Sequence, residues 1–294
     1  MGHRISNRHH HDSDHLSGDE NNRCAGKSNE PGFMKNNHLL ILSLSLVYLF
    51  LIGPLVIIVF SAFNDSEFLD FPPQTYSLRW FYRIFESEMF ISAFQNSLLL
   101  SFFGALGALL IGLPAAYSLS RTNSKWRQPA LSLFLSPVII PGVVLGFAVL
   151  KHIVIPLEIE TWTGLAIAHA LIMLPYIIRV IVSSLSNVPV EIEEAAVSLG
   201  STRMHAFLVV VLPNIQSGIL AACLLAFITS LNDVPVTIFL TGPGVTTLPI
   251  QMLSYVEYYF DPTVSAISVL LMFLTIILMF LIEATMGLSF FTKK

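Results

Sequence analysis

Glu191, Glu193 and Glu194 crowd one short stretch of a chain that is otherwise poor in charge. Pro189 ahead of them can start a helix, because it lacks a donor that the first turn would leave unused. The carboxylates then fall at the positive end of that helix's dipole, where negative charge is favoured. Ala195, Ala196 and Leu199 follow as a small, smooth face, and Gly200 is placed as a left-handed stop residue. Ser201 is expected to cap a second short helix carrying Arg203, His205, Phe207 and Leu208, before Leu212-Pro213 returns the chain to apolar sequence. The chemistry on offer is docking. Small residues let another backbone approach closely, and a helix set in a partner's groove transmits motion. The plainer reading is a helix–turn–helix that merely ties its flanks together.

Other reactive residues lie inside apolar runs, where ionisable groups are costly and so draw a functional reading. Asn232-Asp233 stands late in such a run. Asp233 either contacts a cationic solute on its way through, or sits in a polar helix break near the outer face. The segment from Tyr255 through Glu257 to Asp261 sets carboxylates beside aromatic faces, which suit an amine through charge and cation–π contact; an interfacial aromatic belt reads the same way. His169 is expected to be packed and hydrogen-bonded rather than a proton relay. Glu283 is expected to be interfacial, and Arg179 to extend to the surface. His9, His10 and His11 are read as part of an unstructured polar tail rather than as metal ligands. Gly26-Lys27-Ser28 echoes the end of a phosphate-binding loop, but the first glycine's place holds Asn21 and no strand precedes it.

The elements that must position these residues are membrane spans. The 294 residues are 54% hydrophobic and 12% charged, with a mean hydropathy of +0.72. A soluble globular domain carries about 25% charged residues. The net charge of −4 gives no reason to expect a nucleic-acid partner. The two cysteines, Cys24 and Cys223, stand in a polar tail and an apolar run, so a disulfide framework is not expected. Residues 1–33 are too polar to bury a core and read as disordered, with Met34 as the expected functional start. Six apolar segments follow, at 39–63, 91–119, 130–150, 164–182, 215–240 and 264–282. The first is about 37 Å long as a helix, more than the roughly 30 Å hydrocarbon core, and is expected to stay as an anchor. In lipid every backbone polar group must be satisfied within the segment, so these are helices. The expected class is therefore an all-α polytopic membrane protein of six transmembrane helices. Its parts are a tail (1–33), a first helix with outer loop (34–90), a core of five helices (91–288) holding the connecting loop 184–214, and a short end (289–294).

Charge sets the orientation. With the N-terminus inside, all but Arg79, Arg83 and Lys151 of the 15 lysines and arginines fall on the inner side. The positive-inside rule then puts both termini and the 184–214 loop in the cytoplasm. Pro54, Pro114, Pro137, Pro141, Pro175 and Pro235 interrupt the segments and are expected to kink them. Gly142 and Gly146, after the Pro137/Pro141 pair, serve either helix packing or the translocation path. In the outer loop, Ser77–Phe85 reads as a short capped helix with Phe81, Ile84 and Phe85 on one face.

Glu194-Ala195-Ala196, Gly200 four positions later and Val210-x-Leu212-Pro213 resemble the EAA loop of the inner-membrane permease subunits of binding-protein-dependent ABC importers. Val210 stands where isoleucine is more usual. Gln95-Asn96-Ser97-Leu98, Ala115-Ala116-Tyr117, Pro137 with Pro141, and Leu174-Pro175-Tyr176 look like the same family, and the resemblance covers residues 35–288. It implies a type I importer fold in a bacterial inner membrane. Glu194, Ala195, Ala196, Gly200, Leu212 and Pro213 would couple to the ATPase, which is a separate subunit. It further implies an ATP-binding subunit dimer, a second and homologous permease chain, and an external solute-binding protein as partners, besides membrane lipid. This chain lacks a Walker A sequence, so the resemblance implies a transport subunit, not an enzyme; it carries no cofactor, and ATP is bound by its partner. Asn232, Asp233, Tyr255 and Glu257 are the candidates for the solute path. The 231–261 stretch with Leu240-Thr241-Gly242-Pro243-Gly244, and Tyr76-Ser77-Leu78-Arg79-Trp80, look most like the spermidine/putrescine branch. Branches that carry iron, thiamine, opines or sugars stay open.

Two rivals stand beside this reading. A secondary transporter often shows two related halves, but this chain shows no internal repeat and the 184–214 loop would go unexplained. An intramembrane enzyme would need a nucleophile motif joining the serines and histidines, and none joins them.

Overall fold

A computed structural model describes residues 37–68, 70–242 and 244–286. The expected tail 1–33, the start at Met34 and the end 289–294 lie outside the described residues. The described residues fall into two units that divide between Leu51 and Ile52. Helix α1 runs Asn37–Ala62. Within the first unit its residues 40–51 are exposed on every side, as suits a lipid-facing helix with no polar stripe.

Helices make up the second unit, with isolated bridges at Asn64–Tyr76 and Gly242–Val245. Helix α2 is Arg79–Glu86, α3 Glu88–Arg121, α4 Arg127–Ile139 and α5 Gly142–Val149, which runs on into a wider turn at Leu150–Val154. Helix α6 is Thr161–Leu185. The connecting loop holds α7, Val190–Ser198, and α8, Arg203–Ala206, followed by a wide turn Phe207–Val211 and α9, Leu212–Asn214. Helix α10 is Gln216–Leu231, α11 Leu248–Tyr258 and α12 Thr263–Met286. Four of these are long and apolar enough to cross a membrane, and up to six spans result if each of two bent pairs is one.

The bent pairs correct the sequence reading. Segment 130–150 is not one straight span: it breaks between α4 and α5 with a bend of 99°, because Pro137 and Pro141 each withhold a helix donor. Segment 215–240 ends as a helix at Leu231. Residues 232–240 leave the helix and close on a single tight turn at Thr237–Phe239. Pro54, Pro114 and Pro175 stay inside continuous helices.

The larger core joins α3, α6 and α10. Leu165, Met173, Ile177, Ile178, Ile181 and Leu185 of α6 are almost fully buried. Close approach comes from small residues on α3, the usual device where lipid gives helices no hydrophobic reason to associate. A Cβ on Gly112 would lie 2.7 Å from Ile177 Cγ2. Gly142 and Gly146 serve packing: a Cβ on Gly142 would lie 2.8 Å from Pro235 Cβ, and one on Gly146 would strike the Val236 carbonyl. Helix α5 is thus set flat against the broken end of α10.

A second cluster gathers Ala62, Trp80, Ile84, Phe90, Tyr255 and Ile267. The expected short helix is present as α2 but has no side-chain cap: Ser77 Oγ accepts from Arg79 N at 3.2 Å in the turn that leads into it. Its buried face is Trp80 with Ile84; Phe81 is half-buried and Phe85 is exposed, so the expected Phe81/Ile84/Phe85 face is corrected. Trp80 Nε1 donates to the Asn64 carbonyl at 2.6 Å, which satisfies the indole and turns the ring inward. Helix α11 was not foreseen. Ser97 of α3 holds its first turn by accepting from Leu248 N at 2.7 Å.

Candidate functional site

The loop 184–214 folds as an elbow. Pro189 is the N-cap of α7, and Glu191 and Glu193 occupy its first turn. At the other end Gly200 takes φ 95°. Its N–H bonds the Val197 carbonyl at 2.9 Å, while Ser201 N bonds the Ala196 carbonyl at 3.1 Å. This pair of bonds is the glycine-stopped helix end that a left-handed residue makes possible. Thr202, not Ser201, caps α8: its Oγ1 accepts from His205 N at 3.2 Å. Leu212 and Pro213 open α9, just before the chain bends by 71° into α10.

Glu194, Ala195 and Gly200 are exposed and Ala196 is half-buried. Leu199 is 90% exposed and Met204 68%. Glu193 alone on α7 is buried. Both its oxygens are engaged by α3: the Tyr117 hydroxyl donates to Oε1, and Arg121 Nε donates to Oε2 at 3.0 Å. Arg121 Nη1 donates to the Val188 carbonyl at 3.3 Å. Its Nη2 is buried with no hydrogen-bond partner among the described residues. The Tyr117 ring lies 4.6 Å from that of Phe207. A cleft of about 920 Å³ opens between the end of α3 and the elbow, with Tyr117, Arg121, Glu194, Val197, Arg203 and Met204 on its walls.

A buried polar chain crosses the α3–α6–α10 core. Asp233 Oδ2 accepts from Val236 N at 3.2 Å and Thr237 N at 3.0 Å, so it is an acceptor for the Thr237 hydroxyl as well, at 2.9 Å. Thr237 Oγ1, its proton spent there, accepts from His169 Nε2 at 3.0 Å. A charged imidazolium would be costly in so apolar a site. The ring is therefore neutral, and Nδ1 accepts from Ser230 Oγ at 2.7 Å. Ser230 in turn accepts from Ser101 Oγ at 3.0 Å. The hydrogen bonds run one way, from α3 to Asp233, where the Thr237 hydroxyl also lies 3.3 Å from the backbone carbonyl. His169, 0% exposed, is the packed and hydrogen-bonded residue the sequence leads one to expect.

The four path candidates fall in two places. Asn232 ends α10 with Nδ2 on the Ile228 carbonyl at 2.9 Å, and Asp233 stitches the turn that follows it. Tyr255 belongs to the second cluster and is buried, while Glu257 is exposed. The carboxylate of Asp261 is already matched: Arg83 Nη1 lies 3.2 Å from its Oδ2, and the Tyr255 hydroxyl donates to the same atom at 2.8 Å. Asp261 is therefore not an open seat for an amine, which corrects that part of the sequence reading. Glu193, Tyr117 and Arg121 escaped sequence reasoning as a group, as did Ser101, Ser230 and Thr237. Nothing in the local sequence marks residues that pair across 72 or 129 positions.

A bundle of apolar helices, two of them broken, with an exposed elbow at one end and a chain of buried polar groups in its interior, fits a membrane transport component. Residues 108–287 match the family described as binding-protein-dependent transport system inner membrane component. The chain belongs to that family. It is a permease subunit of an ABC importer, a transport component of the inner membrane rather than an enzyme. It is 30% identical over 239 residues, covering 79% of this chain and 85% of the relative, to the putrescine transport system permease protein PotI of Escherichia coli K12. It is 26% identical over 233 residues, 79% of this chain and 88% of the relative, to the spermidine/putrescine transport system permease protein PotC of the same strain. Among solved structures it resembles a chain of the bacterial alginate ABC transporter in complex with an alginate pentasaccharide-bound periplasmic protein. The TM-score is 0.61 at 17% identity, over 84% of this chain and 91% of that one, a likeness of fold.

Proposed function

We propose that this permease subunit moves a polyamine of the putrescine or spermidine type inward, driven by ATP hydrolysis on a separate subunit dimer. The solute reading is supported by relatives named for putrescine and spermidine at 26–30% identity over most of the chain. Asn232 and Asp233 line the path, and Glu257 stands at its outer entrance with Tyr255 as packing support. Asp233 keeps Oδ1 out of any hydrogen bond among the described residues while Oδ2 holds the turn, so the fold and the solute draw on different oxygens.

The ATPase grips the elbow. The observation that carries this reading is the exposure of Leu199 and Met204, 90% and 68%, on either side of the glycine-stopped turn. Apolar side chains held out on a rigid glycine-stopped turn mark an interaction site. Glu194, Ala195, Ala196 and Gly200 form the contact, and Leu212-Pro213 sets the angle at which it meets α10. In this arrangement the elbow and both termini face the cytoplasm. A homologous permease chain completes the pathway, and the external binding protein delivers solute at the end of α3 that carries α2 and α11. Helices α3 to α12 with the 184–214 loop act as one transport core, with α1 as an added anchor.

The test is uptake of radiolabelled putrescine and spermidine by vesicles holding the complete importer. Uptake that needs ATP, the ATPase subunit and the binding protein is expected. Uptake that persists without ATP refutes the coupling, and ATP-dependent transport that ignores both polyamines refutes the solute.

A further inference from the structure

Helix α7 meets α3 through one buried side chain. Apart from Glu193, its residues are exposed or half-buried. The carboxylate meets Arg121 with both ions largely out of water, at side-chain exposures of 10% and 13%. In such a place removing one partner strands the other. The second carboxylate oxygen takes the Tyr117 hydroxyl, and Arg121 reaches on to the Val188 carbonyl in the turn that leads into α7. A greasy contact would let α7 slide and roll on α3. Two charge-assisted bonds to two oxygens fix both its register and its rotation. Helix α3 in turn sits on α6 with no room to give, as Gly112 against Ile177 shows. Any displacement of α7 therefore has a stiff route into the bundle core, and that route begins at Glu193.

We propose that Glu193, Arg121 and Tyr117 form a clamp that passes movement of α7 to α3, which makes them positioning residues for transport. The proposal rests on the coupling reading above. Helix packing elsewhere holds the bundle together, so loosening the clamp uncouples rather than unfolds. The ATPase goes on turning over while less solute moves per ATP.

The experiment uses the complete importer in vesicles and reads solute moved per ATP hydrolysed, for Arg121→Glu, Glu193→Arg and the double exchange. Each single variant is expected to lower that ratio roughly tenfold, within the span of ordinary coupling energies. The double exchange, which restores opposite charges, is expected to recover most of it. Tyr117→Phe keeps the ion pair and is expected to lose less, which gives a reading even where a charge reversal fails to assemble. A wild-type ratio in Tyr117→Phe and in the single exchanges overturns the clamp, as does a double exchange no better than the singles. Cross-linking from Leu199→Cys separates the two proposals. Capture of the ATPase subunit together with a wild-type ratio in the clamp variants overturns the clamp alone. No capture in an active importer overturns the coupling reading and the clamp with it.

Discussion

His169 and Thr237 share a 3.0 Å hydrogen bond across 68 positions. That bond joins the middle of α6 to the turn that ends α10. The same ring, through Ser230, reaches Ser101 on α3. Replacing His169 by Phe fills the space but leaves the Ser230 hydroxyl without its acceptor and the Thr237 oxygen without its donor. The midpoint of thermal unfolding of the purified importer is expected to fall by the equivalent of roughly 1–2 kcal/mol, the upper range for interhelical hydrogen bonds in bilayers. Ser101→Ala, which removes only the first donor of the chain, is expected to cost less. An unchanged midpoint in His169→Phe would refute the one-way chain.

Gly200 separates shape from conformation. A Cβ there would meet nothing within 4 Å, yet φ is +95°, so the obstacle to substitution is the backbone alone. Gly200→Val is expected to lose about 1–2 kcal/mol at the turn and to cut ATP-dependent uptake several-fold. Gly200→Asn, which tolerates the left-handed region, should retain most of it. Equal uptake by the two variants would show that the turn is not what matters.

Asp233→Asn keeps an oxygen able to accept from Val236 N, Thr237 N and the Thr237 hydroxyl, and removes the charge. Assembly and thermal stability are expected to stay near wild type while the concentration of polyamine needed for half-maximal uptake rises roughly tenfold, about 1.4 kcal/mol. Unchanged uptake would take Asp233 off the path. Loss of assembly with it would make Asp233 a structural residue.

Tyr255 gives a prediction in pH. Burial raises its phenol above the usual value, and the Asp261 carboxylate beside it pushes the same way. A folded-state value above the unfolded one means that the fold favours the neutral phenol. The stabilisation is present below the unfolded value of about 10 and is lost as pH rises through the higher folded value. Alkaline titration of the near-ultraviolet signal should show a transition that Tyr255→Phe removes or moves upward. The same transition in that variant would assign it to another group.

Much of this molecule was legible along the chain. Helices α1, α3, α6 and α12 fall where the apolar runs 39–63, 91–119, 164–182 and 264–282 fall, because a membrane span is a local property: length and apolar content suffice. The elbow was legible for a related reason, since Pro189, the glutamates and Gly200 act within a turn or two of one another. The breaks were harder. Pro137 and Pro141 announce that something happens, but a 99° bend depends on what α5 can lie against, and Gly142 and Gly146 find that surface at Pro235 and Val236. Helix α11 escaped notice because its short, half-polar run looks like loop until Ser97 accepts from its first turn.

Sequence by itself determined the class of protein, its four unbroken apolar helices and the place of the elbow along the chain, because hydropathy and helix stops are decided by neighbours. Tertiary structure alone decided which polar groups satisfy each other. Glu194 is named by its motif, yet Glu193 is the glutamate buried against Arg121. Asp261 looks like an open carboxylate until Arg83 meets it from a helix far away in the chain. Burial turns an unpaired polar group into a penalty of several kcal/mol, and only the fold says which groups are buried and which partner stands within reach.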